Sequence, residues 1–416
     1  MADDAAPQSS VDVATHPDSL KMGTGEFVAM IAGLMALNAL AIDVMLPALD
    51  DIAAALGVAN ANDQQLVIYA YIAGFGVPQL VWGPMTDRYG RRAIIFLGLI
   101  GYAITGLACM VAPSFGVLLA MRFCQGVFAS ACRVVAVSIV RDIFAGRGMA
   151  RVMSLVMTIF MVVPILAPSI GQAILFVAPW EWTFGVLTLV ALIILVWAWV
   201  RLPETLPEAR RRPFNPGQTI SNYRDVFRDP DTLGYMLASG VIFGSLFAFI
   251  GSSEQVMTEV FALGDSFVLW FAAVAGVLSI ANFTNSRLVE RVGMRRMSQG
   301  SLIAFIALGL ILLVLMNTVG QEFALFFPLF ALMFGCFGMI GSNFNAMAME
   351  SQGKIAGTAS AAYGFFTTTL SSMIGWLIGR QYDGTVFPLI IGFVVLGLVC
   401  LAIVAFVEKG KFFSAR

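Results

Sequence analysis

The chain has 416 residues, 59% of them hydrophobic and 12% charged, with mean hydropathy +0.88 and formal net charge −1. Soluble domains carry about 25% charged residues, so a soluble core is excluded. One histidine, His16, and five cysteines without C-x-x-C spacing argue against a metal centre and against histidine catalysis.

Residues 1–25 carry Asp3, Asp4, Asp12 and Asp18 against Lys21, with no basic n-region and no small-residue cleavage site. The sequence therefore predicts a disordered cytoplasmic tail rather than a cleaved signal peptide. Twelve apolar runs follow, near 26–48, 64–84, 93–112, 115–140, 150–175, 180–200, 232–253, 265–286, 297–317, 323–346, 357–379 and 386–407. Each approaches the roughly 20 residues that a helix needs to cross a bilayer. A barrel would need alternating strands of about 10 residues, and these runs are continuous. The expectation is an all-α polytopic membrane protein with twelve transmembrane helices. All five cysteines fall inside apolar runs and read as buried free thiols. With twelve crossings, 21 of the 24 Lys and Arg fall on one side. The positive-inside rule makes that side, and both termini, cytoplasmic.

The longest connection, "RLPETLPEARRRPFNPGQTISNYRDVFRDP", separates six runs from six. It predicts an N-terminal bundle over 26–200, a central cytoplasmic loop over 201–231, a C-terminal bundle over 232–407 and a short cytoplasmic tail over 408–416. "DRYGRR" at 87–92 returns as "ERVGMRR" at 290–296, with Asp87, Arg88 and Gly90 each 203 residues before Glu290, Arg291 and Gly293. That spacing reads as a tandem duplication of six-helix units, a plan common among secondary transporters.

Ionisable groups inside hydrocarbon are costly, so each is by default a functional candidate. Asp43 lies roughly 8 Å and Arg122 roughly 10 Å from the outer end of their runs at about 1.5 Å per residue. Shared depth predicts a direct or water-linked pair that carries protons. Arg133 and Gln125 fall on the face of Arg122, giving a polar stripe that must line a cavity. Asn38, about a turn below Asp43, joins the candidate substrate site, as do Tyr71, Phe247 and Tyr363 among abundant aromatics. Structural ion pairing remains the alternative for Asp43, Arg122 and Arg133. Glu26 and Glu254, at helix ends where water reaches, read as structural.

Glycines and arginines in "WGPMTDRYGRR" suit a cytoplasmic turn, but Asp87 and the echo in the second half need more. Here the chain resembles the major facilitator superfamily, with its G-x-x-x-D-R-x-G-R-[RK] loop present as Gly83, Asp87, Arg88, Gly90, Arg91 and Arg92. The resemblance implies a conformational latch. Asp87 would cap the inner end of the eleventh helix, around Gly357–Ser360, and Arg91 would bridge to Asp142 at the end of the fourth. "AIDVMLPAL" (41–49), "RFCQGVFAS" (122–130), "LPETL" and "AGTASA" (356–361) resemble twelve-helix drug:proton antiporters of the Bcr/CflA type. "PILAPSIGQ" keeps Pro164, Pro168 and Gly171 of the helix 5 antiporter motif, with Ala167 and Gln172 where the strict pattern has glycine.

The resemblance implies alternating-access export driven by the proton gradient, without a bound cofactor or metal, by a monomer in the bacterial inner membrane. Its partners would be protons, lipid and a small molecule, not nucleic acid. Two arginines against one clear acid favour small amphipathic compounds that are neutral or weakly anionic, phenicol-like drugs among them. An exporter of an amino acid, sugar or siderophore is the alternative, and a non-transporting membrane sensor a third reading. No nucleophile motif or P-loop supports an enzyme or an ATP-driven pump.

Overall fold

The computed structural model describes residues 22–144, 146–211, 213, 215–353 and 356–413. Almost all of the expected N-terminal tail, His16 included, and the last residues of the C-terminal tail lie outside the described residues. Fifteen α-helices are described: α1 (Thr24–Asp43), α2 (Leu49–Ala55), α3 (Leu66–Gly76), α4 (Gln79–Tyr89), α5 (Arg91–Met110), α6 (Phe115–Ile143), α7 (Gly146–Val177) and α8 (Glu181–Arg201). After the central segment come α9 (Pro216–Arg228), α10 (Pro230–Gln255), α11 (Phe267–Val292), α12 (Met294–Thr318), α13 (Phe323–Met349), α14 (Ala356–Gly379) and α15 (Phe387–Val407). No strand occurs among the described residues.

Ten of these elements are long and apolar enough to span a bilayer, and the pair α3–α4, bent by 46°, makes an eleventh. The twelfth expected run is present as α14, 24 residues long. It falls short on apolar character because Thr367, Thr368, Thr369, Ser371 and Ser372 lie along it. That polarity suits its position, packed against α10 on one side and α3 on the other.

Proline explains the two breaks. α1 ends at Asp43 and the chain continues through a 3₁₀ turn over Leu46–Ala48 into α2. Pro47 lacks the N–H that would have bonded the Asp43 carbonyl. Pro78 sits likewise between α3 and α4. The central loop is not wholly irregular: Asn215 caps α9, accepting from Gln218 N at 3.1 Å, with Pro216 as its first residue.

The 203-residue repeat has a backbone counterpart. Gly90 and Gly293 join α4 to α5 and α11 to α12 at φ +93° and +92°, a region that favours glycine. In each case an acid from further along the same half of the chain grips the following helix. Glu204 accepts from Arg91 N (2.9 Å) and Arg92 N (3.2 Å), and Glu408 takes Arg295 Nε at 2.8 Å.

Two ends of the molecule are distinguished by their side chains. One, the basic end, gathers Arg91, Asp142, Arg201 with Glu26 (2.7 Å), and Arg295 with Glu408. The other, the acidic end, brings Asn62 to the 380–382 turn and Gln172 to Asp265 (3.0 Å). The two halves of the chain meet where α3 and α4 run along α14 and where α7 runs along α11.

Candidate functional site

Arg122 is fully buried on α6. Its Nε donates to Val67 O (3.0 Å), one terminal nitrogen to Ala41 O (2.8 Å) and the other to Gln125 Oε1 (2.7 Å). The guanidinium also lies 4.5 Å from the Tyr71 ring centre and 5.7 Å from that of Phe184. Gly126 makes this possible, since a Cβ there would overlap the Tyr71 carbonyl and hold α3 away from α6. The expected Arg122–Asp43 pair is therefore corrected. The break at Pro47 strips the last carbonyls of α1 of their helical donors, and Arg122 takes up Ala41 O rather than the carboxylate two residues on.

Asp43 is 4% exposed and has neither a hydrogen-bond donor nor an ion-pair partner among the described residues. Asn38, a turn away, accepts from the Tyr71 hydroxyl at 3.2 Å. Tyr71 thus connects the Asn38 amide to the face of Arg122. The Gln125 amide nitrogen is buried without a partner.

Arg133, three turns along α6, is half-buried. One terminal nitrogen donates to Gln79 Oε1 at 3.1 Å, and the guanidinium lies 5.8 Å from the Phe75 ring centre. No carboxylate pairs with it among the described residues. Gln79 also reaches Thr368 on α14 (3.5 Å), so this arginine stands where the two halves meet. In the second half of the chain Tyr363 and Phe247 are partly exposed, and Tyr363 donates to Ser239 Oγ at 3.0 Å. The predicted stripe is thus split: Arg122 and Gln125 are consumed in packing, and Arg133 keeps free N–H groups.

At the basic end Arg91 bridges two acids, Asp87 at 2.6 Å and Asp142 at 2.7 Å, with Thr205 also donating to Asp142 (3.2 Å). Asp87 makes no hydrogen bond to residues 357–360 among those described, and its side chain is 46% exposed. The expected cap on α14 is corrected for this state. A carboxylate one turn before Arg91 pairs within its own half, and no cross-half contact of Asp87 occurs among the described residues. Gly83 meets nothing within 4 Å of where a Cβ would stand. Arg88 lies over Tyr89 (5.0 Å) and Arg92 donates to Trp199 O (2.7 Å), so both serve the turn itself.

The Pro164–Pro168–Gly171 segment of α7 lies against the break after α1: a Cβ on Gly171 would overlap the Val44 carbonyl, and Ala167 is fully buried beside it. Pro164 and Pro168 stand inside the helix.

The sequence model described as "Major Facilitator Superfamily" matches residues 31–376. The chain belongs to this superfamily. It is 32% identical to a bicyclomycin resistance protein homolog of Haemophilus influenzae over 88% of this chain and 91% of that one. It is 28% identical to the multidrug resistance protein MdtL of Escherichia coli, over 92% and 96% of the two chains. Among solved structures, a D-xylose–proton symporter superposes with TM-score 0.70 at 14% identity, covering 94% of this chain and 99% of that one. The chain is a multi-pass membrane transporter rather than an enzyme, and the resemblance to Bcr/CflA-type proteins is consistent with these relatives.

Sequence reasoning missed several polar groups of this transporter. Asn62, Gln65 and Gln255 tie its two halves together at the acidic end. On α11 and α13, Asn343 donates to Asn285 Oδ1 (2.8 Å) and Ser342 to Asn282 Oδ1 (2.7 Å). The amide runs "NDQQ", "NFTN" and "SNFN" were the available signal, passed over because uncharged polar residues are cheap enough to escape a search for intramembrane charge.

Proposed function

We propose that this transporter is a proton-coupled exporter of small amphipathic compounds, neutral or weakly anionic, working by alternating access in a bacterial inner membrane. In this reading it has twelve spans, with the basic end and both termini in the cytoplasm, and acts as a monomer with the proton gradient as its energy source and no cofactor. Asp43 carries the reading. A buried carboxyl group at a helix break, without a cation to fix its charge, can gain and lose a proton as water reaches it from alternate sides. The names of the relatives point to antibiotics as cargo.

Arg133 is the group that would hold the acidic part of a substrate, with Asn38, Phe247 and Tyr363 forming the surrounding walls and the fully buried Tyr71 backing them. Arg122 supports that wall from behind. The exposed Ser342 and Asn345, with the half-buried Asn282, favour the second reading, a hydrophilic metabolite as cargo, because such a polar face is ill suited to hydrocarbon. A growth-inhibition panel in a sensitive bacterium distinguishes the two. Drug export predicts resistance to one or more antibiotics that Asp43→Asn abolishes and Arg133→Gln narrows to uncharged compounds. No protection against any antibiotic, with excretion of a metabolite instead, would overturn it.

A further inference from the structure

The two halves of the chain meet at a contact where neither side can yield. Tyr69, near the start of α3, is buried, and its hydroxyl donates across the seam to Phe247 O of α10 at 3.0 Å. The hydroxyl enters a notch left by Gly251, one turn further along α10. A Cβ there would overlap the Tyr69 hydroxyl and stand 2.8 Å from Cζ and 3.1 Å from Cε2 of the ring. The contact lies one turn inward of the Gln65–Gln255 hydrogen bond (2.6 Å), and so at the acidic end.

Both helices are fixed within their own halves. α3 lies backbone to backbone on α6: a Cβ on Gly74 would overlap Phe123 O, and one on Gly126 would overlap Tyr71 O and stand 2.8 Å from Phe75 N. α10 is held in the same way by α14, where a Cβ on Gly375 would stand 2.9 Å from Phe247 Cβ and 3.0 Å from Ala248 N, and where Ser371 donates to Gly240 O at 2.8 Å. Such close packing transmits strain instead of absorbing it. Gln65 gives the contrast: a Cβ on Gly379 would overlap its Oε1, but an amide at the tip of a flexible side chain can turn away, whereas a buried ring cannot. Phe247 O lies inside α10, so the tyrosine adds a second bond to a carbonyl of the helix ladder, one that water can replace when the halves part.

We propose that Tyr69 is a positioning residue of the transport cycle: seated in the notch at Gly251, it holds the acidic end closed, and the absent side chain of Gly251 is what lets the halves close. A methyl group added at Gly251 cannot be taken up by α3 or α10 within its own half, so it pushes the halves apart and leaves the acidic end open to water. The proposal rests on the alternating-access part of the reading above and not on the cargo or the proton.

The test uses spin labels at Val111→Cys and Val319→Cys, exposed positions at the acidic ends of α5 and α12, after replacement of the five native cysteines. Inter-label distances are measured in nanodiscs without substrate. With Tyr69 and Gly251 intact, the short distance should dominate. Gly251→Ala should lower the short-to-long ratio roughly ten-fold, the effect of overpacking a site that cannot relax. Tyr69→Leu, which adds no atom and loses only the cross-half bond, should lower it about three-fold. In the Tyr69→Leu background the notch is empty, so adding Gly251→Ala should change nothing further. A Gly251→Ala effect that persists in that background, or a Tyr69→Leu distribution equal to that of the parent, would overturn the proposal. The second variant reads the contact even where the alanine protein does not fold. The readout needs neither substrate nor a pH gradient, so its failure is separate from failure of the drug-export reading.

Discussion

Arg122→Met tests whether the buried arginine is a brace or a substrate-handling group. Methionine fills much of the space but leaves Ala41 O and Gln125 Oε1 without their donor, while Val67 O remains inside α3. Each orphaned buried acceptor costs about 1–3 kcal/mol, so two amount to about 2–6 kcal/mol. Removing the guanidinium also removes its desolvation cost, which brings the expected loss to about 2 kcal/mol. Adding Gln125→Leu deletes one of the orphans, so the double variant should be about 1–2 kcal/mol more stable than the sum of the singles. Denaturant titration of the four proteins in detergent micelles measures this cycle. If Arg122→Met unfolds at the wild-type denaturant concentration while transport is lost, the brace is wrong and Arg122 returns to the substrate.

Tyr223 on α9 donates to Leu80 O at 2.8 Å, the carbonyl that Pro84 leaves without a helical partner. Tyr223→Phe should raise hydrogen exchange across 216–228 by roughly ten-fold, the equivalent of one hydrogen bond of about 1–1.5 kcal/mol. Pro84→Ala in the same chain should not restore α9, though it supplies Leu80 O with an N–H, and restored protection there would show that the tyrosine acts only through that carbonyl. Asp229, capping α10, is pushed up by burial, but hydrogen bonds from Ser351, Thr232 and the Asp231 N–H outweigh this and hold it below the ordinary carboxylate range. Its stabilising effect is therefore complete above the unfolded value, near 3.9, and is lost as pH falls through the lower folded value. Thermal unfolding across the acid range should show this slope in wild type and a flatter one in Asp229→Asn, and equal slopes would remove Asp229 from the account.

Much of the architecture was legible because bilayer length and charge leave few choices. The apolar runs, the repeat at 203 residues and the Gly90 and Gly293 turns all follow from patterns that local sequence must satisfy. Arg91 meets Asp142, the contact that the family resemblance implied. The partner of Arg122 was not legible, because depth along a helix says nothing about which backbone carbonyls the end of α1 leaves open. Nor was α9, whose polar sequence reads as loop until Asn215 and Pro216 are recognised as a helix start. The Gln65–Gln255 hydrogen bond joins residues 190 apart, and no local pattern fixes how two such surfaces meet.

The central claim is that Asp43 carries the proton whose descent drives export. Purified protein in liposomes, loaded with a compound from the resistance panel and given an imposed pH gradient, tests it most directly. Wild type should move the compound against its gradient and release protons in step, whereas Asp43→Asn should only equilibrate it. Gradient-driven accumulation by the asparagine variant at the wild-type rate would contradict the account.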